Sequence, residues 1–249
     1  MILITGASSG IGEATAQAFA AQKKDLFLVA RRGGKLRELA DIFKKKYSVH
    51  VETAELDVSN SKAVKEWANK NALLLSKTEV LVNNAGLARG LASFQDGNIE
   101  DWDAMIDTNI KGFLYVARAV IPHFIEKKSG HIINIGSVAG RWTYPKGNVY
   151  SATKFAVRGL SESMRLDLNG TGIRVTEIAP GMVETEFSVV RFGGDKEKAK
   201  SVYKGLEPLT AQDIAETIVW SAQRPKHVNI QELVIYPTDQ ASPQVVHRK

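Results

Sequence analysis

Cysteine is absent from the chain. That excludes disulfides and thiolate metal sites, and it fits a cytoplasmic protein. Histidine is scarce: His50, His123, His131, His227 and His247 are scattered without ligand spacing, so no structural or catalytic metal is expected. No apolar run is long enough to span a bilayer. With a strand expected from the first residue onward, no signal or transit peptide is expected ahead of it. Linkers, internal repeats and low-complexity segments are lacking too. The 249 residues are therefore expected to form a single domain, 1–249, although length alone would allow two.

Apolar content is 44% and charged content 24%, enough for a full core in a globular chain. Net charge is +6, which raises nucleic acid as a partner. The basic residues are mixed with acids along amphipathic helices, however, and Lys44-Lys45-Lys46 sits at a helix end, where cations are favourable. Solvated faces plus attraction of an anionic dinucleotide explain the balance with fewer assumptions, so neither a nucleic-acid nor a membrane partner is expected.

The first dozen residues organise the rest. Ile2 to Ile4 read as a short buried strand, and Gly6, Gly10 and Gly12 follow at once, with Ala7, Ser8 and Ser9 in the turn between them. A helix starts on the last glycine: Ile11, Ala14, Thr15, Ala18 and Phe19 fall on one face. Strand, glycine turn and helix N-terminus make an anion site, because glycines let the backbone approach a pyrophosphate and unpaired N–H groups point at it. The spacing is G-x-x-x-G-x-G instead of the usual G-x-G-x-x-G.

Asp25 to Arg31 is a second apolar run, followed by a helix over Lys35 to Tyr47. Val49 to Val58 is a third strand, with Ser59 as N-cap of the next helix. Glu79 to Val82 is a fourth, ending in Asn83-Asn84-Ala85-Gly86. One long helix is expected from near Asp101, with Met105, Ile106, Ile110, Phe113, Ala117 and Val120 on its stripe and a kink at Pro122. His131 to Ser137 is strand five, Asn148 to Leu168 a long helix, and Ile173 to Ile178 strand six, broken by Pro180-Gly181. Residues 183–205 are polar and partly helical; Ala211 to Gln223 is a helix, Ile230 to Tyr236 a last strand, and the tail 237–249 has no periodicity. This alternation predicts an α/β fold: a doubly wound parallel sheet, helices on both faces, right-handed crossovers, and a ligand at the carboxyl ends of the strands.

An acid about 20 residues past the glycines would mark NAD by binding the ribose 2′-OH. Strand two instead ends Val29-Ala30-Arg31-Arg32. Guanidinium groups suit a phosphate and stack on adenine, so the cofactor read here is NADP(H), with Arg31 the first candidate for the 2′-phosphate and Arg32 the second. Asp57 and Val58 end strand three beside the adenine pocket; the Asp57 carboxylate either accepts the adenine amino group or caps the next helix.

Tyr150 and Lys154 lie four apart on the helix after strand five and share a face, while Ser137 ends that strand. A phenol is a poor base at neutral pH, and a nearby ammonium favours the phenolate. Tyr150 can then exchange a proton with an alcohol or carbonyl whose oxygen Ser137 holds.

Thr5 to Gly12 (TGASSGIG), Asn83 to Gly86 (NNAG), Ser137, Tyr150-x-x-x-Lys154 and Pro180-Gly181 together resemble the short-chain dehydrogenase/reductase family over nearly the whole chain. The resemblance implies a single Rossmann domain with seven parallel strands and a Ser-Tyr-Lys catalytic set. It implies a fourth member at Asn109, which would hold a water linking the lysine to solvent. It also implies that Asn84, Ala85 and Gly86 line the cofactor ribose, that Lys154 touches the nicotinamide ribose, and that Pro180, Gly181, Val183 and Thr185 border the nicotinamide. NADP-preferring members often carry a basic residue just before the second glycine; this chain has Ser9 there, which puts more weight on Arg31 and Arg32.

Glu100 to Asn109, Asn148 to Lys154, Thr185 to Asp195 and the terminal Val246-His-Arg-Lys249 are similar to the group of bacterial NADP-dependent 3-hydroxy acid dehydrogenases, also called serine 3-dehydrogenases or L-allo-threonine dehydrogenases. That likeness implies reversible oxidation at C3 of a short hydroxy acid and a homotetramer. The rival reading is a general ketone or aldehyde reductase, or a 3-oxoacyl carrier reductase, on the same catalytic set. A substrate carboxylate calls for a bidentate arginine. Arg191 is the first candidate, with Arg141 and the tail's Arg248 behind it; Trp142 and Tyr144 either shape the pocket or pack beneath it.

Overall fold

The structure is a computed structural model describing residues 1–249. In chain order the first half comprises β1 (Ile2–Thr5), α1 (Gly10–Ala21), β2 (Leu26–Ala30), α2 (Gly33–Tyr47), β3 (Val51–Glu55), α3 (Ser61–Lys70), α4 (Ala72–Lys77) and β4 (Val80–Asn83). The second half adds α5 (Ile99–Ile106), α6 (Phe113–Lys127), β5 (Gly130–Ile135), α7 (Asn148–Asp167), β6 (Ile173–Pro180), β7 (Val183–Glu184), α8 (Glu186–Arg191), α9 (Lys196–Ser201), β8 (Leu209–Thr210), α10 (Ala211–Ala222) and β9 (Glu232–Ile235). Seven strands form one parallel sheet in the order β3-β2-β1-β4-β5-β6-β9. The order reverses between β1 and β4, the position at which such sheets open a crevice.

Every residue of β1 and β2 is buried, because helices cover both faces. Ile2, Ile4, Leu26 and Leu28 pack with Phe19, Leu36, Phe43, Ile214 and Ile218 on one side. Leu3, Phe27 and Val29 pack with Trp67, Val116, Val120 and Phe124 on the other. Burial decides where helices form even when their ends are poorly capped. Arg32 offers α2 no side-chain cap, a loss of about 1 kcal/mol. Leu36, Leu39 and Phe43 are all buried on that helix, at about 2 kcal/mol each, and outweigh it.

Several local expectations change. The long helix from Asp101 is divided: α5 and α6 are separated by a π-helical turn over Asp107–Gly112, with Asn109 inside it. Such turns insert one residue and recur at functional sites. As expected of a helix whose last turns follow Pro122, α6 runs on to Lys127. Ser59 is not the N-cap of α3; Asn60 is, its Oδ1 accepting the Ala63 N–H at 3.0 Å. The Asp57 carboxylate instead accepts the Ser59 N–H at 3.0 Å and its hydroxyl at 2.7 Å. The third strand is shorter than Val49–Val58, and the sixth reaches Pro180. Residues 183–205 are tied down by β7, which pairs with β8 in a small parallel sheet that sequence periodicity does not reveal. The tail is ordered as well: buried Gln240 accepts the Met182 N–H at 2.8 Å.

His131 lies within the sheet at 1% exposure, its Nε2 2.8 Å from the Thr176 hydroxyl. Burial, aided by the nearby Arg174 charge, lowers its pKa from 6.5 to about 3. The unfolded chain therefore binds a proton that the folded one refuses between those limits, and stability falls as pH drops below 6.5 by about 1.4 kcal/mol per pH unit from this group. Urea denaturation at neutral pH and in mild acid should show His131→Gln losing less stability on acidification than wild type; equal losses would contradict the assignment.

Candidate active site

A cleft of about 640 Å³ crosses the carboxyl edge of the sheet. It is built around Thr5, fully buried at the end of β1. The Thr5 Oγ1 accepts the backbone N–H groups of Asn84 and Ala85 at 3.0 and 2.9 Å. Asn84 returns the bond, its Nδ2 donating to the Thr5 carbonyl at 2.8 Å. The glycine turn and the Asn83-Asn84-Ala85-Gly86 segment are thereby fixed against each other.

Gly6 has φ +65°, a left-handed conformation that favours glycine. Gly12 is held by contact instead: a Cβ there would strike the Gly6 carbonyl and come 2.7 Å from Asn84 Nδ2. Gly6, Ser8, Ser9, Gly10 and Ile11 line the cleft. Two residues of the turn do not. Ala7 points into the core on one side of the sheet, and Gly12 lies below the surface, where it brings helix and turn together. Their expected direct role with a cofactor becomes one of packing.

Arg31, Arg32, Asp57 and Val58 form one lip of the cleft. Arg32 is anchored on the glycine turn, Nε donating to Ser8 Oγ at 3.1 Å and Nη2 to the Ser8 carbonyl at 3.2 Å. Its Nη1 reaches Glu186 on α8 at 3.0 Å, spanning the cleft mouth. Asn84, Ala85, Gly86, Pro180, Gly181, Val183 and Thr185 line the walls, so the segments expected to meet there do.

At the inner end stand Ser137, Tyr150 and Lys154. Ser137 starts the tight turn Val138–Gly140, its Oγ accepting the Ala139 N–H at 3.1 Å. The Lys154 Nζ donates to the Ile135 carbonyl at 2.9 Å and sits 6.0 Å from the Tyr150 ring centre. Asn109 is 2% exposed. Its Oδ1 accepts the Leu87 N–H at 2.8 Å, while Nδ2 donates to the Leu87 carbonyl at 2.8 Å and to Thr153 Oγ1 at 3.1 Å. The side-chain amide thus clamps the loop after β4 to α7.

The expectation that Lys154 lowers the Tyr150 pKa needs correction. Burial raises the phenol; the opposing influences are the Arg191 charge and a hydrogen bond from Ser137. The Lys154 ammonium is turned onto a backbone carbonyl, and burial lowers its own pKa to about 8 against the pull of Glu177.

Of the three arginines considered for a carboxylate, two are occupied. Arg141 is ion-paired to Glu177 and Glu232, and Arg248 donates to the Val202 and Lys204 carbonyls. Arg191 differs. Its guanidinium carbon stands 4.8 Å from the Tyr150 ring centre, Nη2 donates to the Tyr144 hydroxyl at 2.9 Å, and its buried Nε has no hydrogen-bond partner. Tyr144 therefore orients Arg191 at the cleft wall, whereas Trp142 is 60% exposed and outside it.

The short chain dehydrogenase family model matches residues 1–193. The chain belongs to this family. Sulfoacetaldehyde reductase 2 of Chromohalobacter salexigens is 46% identical over 242 residues, 97% of this chain and 95% of that protein. The NADP-dependent 3-hydroxy acid dehydrogenase YdfG of Salmonella typhimurium is 46% identical over 242 residues, 97% of this chain and 96% of that protein. Among solved structures, the closed form of serine dehydrogenase complexed with NADP+ matches with a TM-score of 0.92 at 44% identity, covering 100% of this chain and 99% of that one.

Beyond the residues that identify a short-chain dehydrogenase, the cleft holds others that sequence reading passes over. Phe187 packs on Tyr150, ring centres 5.6 Å apart. Gln240 and Pro243 line the cleft from the tail, and Glu186 meets Arg32 across its mouth. Phe187 and Glu186 adjoin Thr185 within the Thr185 to Asp195 stretch, so their position is legible in the sequence; nothing in the tail's composition announces Gln240.

Proposed function

We propose that this chain is an NADP(H)-dependent dehydrogenase of short 3-hydroxy acids. The observation carrying the reading is the unpaired Arg191 guanidinium held over Tyr150, a cation placed for an acidic group on the molecule that Tyr150 serves. The curated relatives' names fit it: 3-hydroxy acids and sulfoacetaldehyde are both short and both anionic.

The cleft also fits the cofactor. Its volume lies in the range of small-molecule sites. The glycine turn and α1 N-terminus suit a pyrophosphate, and Arg31 and Arg32 suit a 2′-phosphate beside the adenine. Asn84, Ala85, Gly86, Pro180, Gly181, Val183 and Thr185 would hold the nicotinamide half, with Lys154 on its ribose. A nicotinamide held there would supply the hydride acceptor for alcohol oxidation and the hydride donor for carbonyl reduction.

The remaining steps belong to the chain. Ser137 holds the substrate oxygen by hydrogen bond. In oxidation Tyr150 takes the hydroxyl proton; in reduction its O–H gives a proton to the carbonyl oxygen. The Arg191 charge and the Ser137 hydrogen bond favour the phenolate form, Lys154 holds the cofactor ribose beside it, and Asn109 keeps the Lys154 side of the site in place as part of a path for protons to solvent. Arg191 fixes the acid group, so only C3 reaches Tyr150. A homotetramer in the cytoplasm belongs to the same reading; exposed Phe94, Ile99, Trp142 and Phe155 offer apolar surface for subunit contacts.

Two measurements test it. Binding titrations of Arg31→Ala/Arg32→Ala should show NADPH weakened about 100-fold and NADH little changed, the loss expected from charge-assisted bonds to phosphate; equal losses would move the 2′-phosphate elsewhere. Steady-state kinetics should show NADP+ reduction with L-serine, L-allo-threonine or 3-hydroxyisobutyrate. Arg191→Gln should raise KM for these acids, and for reduction of sulfoacetaldehyde, by about 10- to 100-fold, with no matching rise in KM for neutral alcohols, which feel the change only through Tyr150 and therefore in kcat. Turnover of acetoacetyl thioesters without any hydroxy acid would favour the carrier-reductase reading.

A further inference from the structure

A second set of charges lies behind the catalytic residues, outside the cofactor walls. Arg141 follows the turn after β5, with its side chain only 9% exposed. Its Nη1 donates to the Ser137 carbonyl and to Glu177 Oε1, both at 3.3 Å. Nη2 donates to Glu177 Oε2 at 3.3 Å, and Nε donates to Glu232 Oε1 at 3.2 Å. Arg158, one turn along α7 from Lys154, lies 3.9 Å from Glu232 Oε2.

Glu177 on β6 is 2% exposed, and its carboxylate fills the space where Gly136 would carry a side chain. The preceding residue, Ile135, accepts the Lys154 ammonium. Lys154 and Glu177 therefore meet the two residues joined by the Ile135–Gly136 peptide, immediately before Ser137. A buried carboxylate costs several kcal/mol to desolvate, and an apolar side chain would tie β5 to β6 without that cost. Arg141 offsets that cost by donating from both terminal nitrogens.

We propose that Glu177 is a positioning residue for the reaction: its carboxylate, paired with Arg141 and packed against Gly136, is the negative charge behind the peptide that receives the Lys154 ammonium, while Arg141 fixes the Ser137 backbone. The inference rests on the roles given above to Ser137, Tyr150 and Lys154.

The titratable and charged groups around Lys154 are Tyr150 and Arg158 on its own helix, Glu177 on β6, Arg141 after β5, Glu232 on β9 and, across Tyr150, Arg191 on α8. Burial pushes Lys154 down to about 8, and Glu177 is the charge that opposes it. Without that carboxylate the ammonium loses its proton at lower pH.

The test is kcat/KM for carbonyl reduction against pH, in the full chain with NADPH. In Glu177→Gln the alkaline limb should move down by about one pH unit, with activity kept on the acid side of it. Glu232→Gln also loosens Arg141 but leaves Glu177 charged, so its limb should stay at the wild-type position. Glu177→Asp should return the limb toward that position. A merely structural role would lower activity at all pH values and leave the limb fixed; an active Glu177→Gln with an unmoved limb overturns the inference. If Glu177→Gln does not fold, Glu177→Met, of similar volume and apolar, is read by the same criterion. Full activity in Lys154→Met would instead overturn the underlying catalytic assignment.

Discussion

The structure depends on a small knot of hydrogen bonds at the reversal of strand order. Thr5 ends β1 with its hydroxyl accepting two N–H groups from the segment after β4, and Asn84 donates back to the Thr5 carbonyl. A buried donor or acceptor left unpaired costs about 1–3 kcal/mol, so these reciprocal bonds are self-enforcing. They fix the gap between two parallel strands whose crossovers leave in opposite directions. The glycine turn, the cofactor walls and the floor of the cleft are all measured from that gap. A side chain at Gly12 would strike both the Gly6 carbonyl and Asn84, so the start of α1 closes on the turn only with glycine there.

Charge is distributed over this frame by a simple rule. Cations with structural duties are paired or spent on carbonyls: Arg141 with Glu177 and Glu232, Arg174 with four backbone carbonyls. Arg191 keeps a buried N–H unpaired next to Tyr150. An unsatisfied buried donor is rare and calls for an explanation, and an anionic ligand supplies one. Arg32 and Arg191 also link the two ends of the cleft through α8, since Glu186 and Arg191 are its first and last residues.

Much of this was legible in the sequence because period and chemistry coincided. Alternating apolar runs and helical stripes gave the succession of strands and helices along the chain; Gly6, Asn84 and Ser137 fall just after strand ends, and Tyr150 and Lys154 lie in the first two turns of α7. What was hidden depended on three-dimensional neighbours. The π-helical turn at Asn109 leaves no mark in a hydrophobic stripe, because Ile106, Ile110 and Phe113 read as ordinary helix. Ala7 looks like a turn residue until the core claims its methyl group. The Tyr150–Lys154 spacing gave the pair but not the direction in which the ammonium turns. Arg141 and Arg191 are alike in sequence and opposite in situation: two glutamates from distant strands neutralise one, and none reaches the other.

The proposed part of Tyr150 is exchange of the substrate proton at the inner end of the cleft. It is tested most directly by Tyr150→Phe, which removes one hydroxyl and leaves the ring packed on Phe187. Turnover of hydroxy acids should fall by several orders of magnitude, as when an acid/base group is lost with its neighbours intact, while NADPH affinity stays at the wild-type value. Turnover near the wild-type rate in that variant would contradict the account.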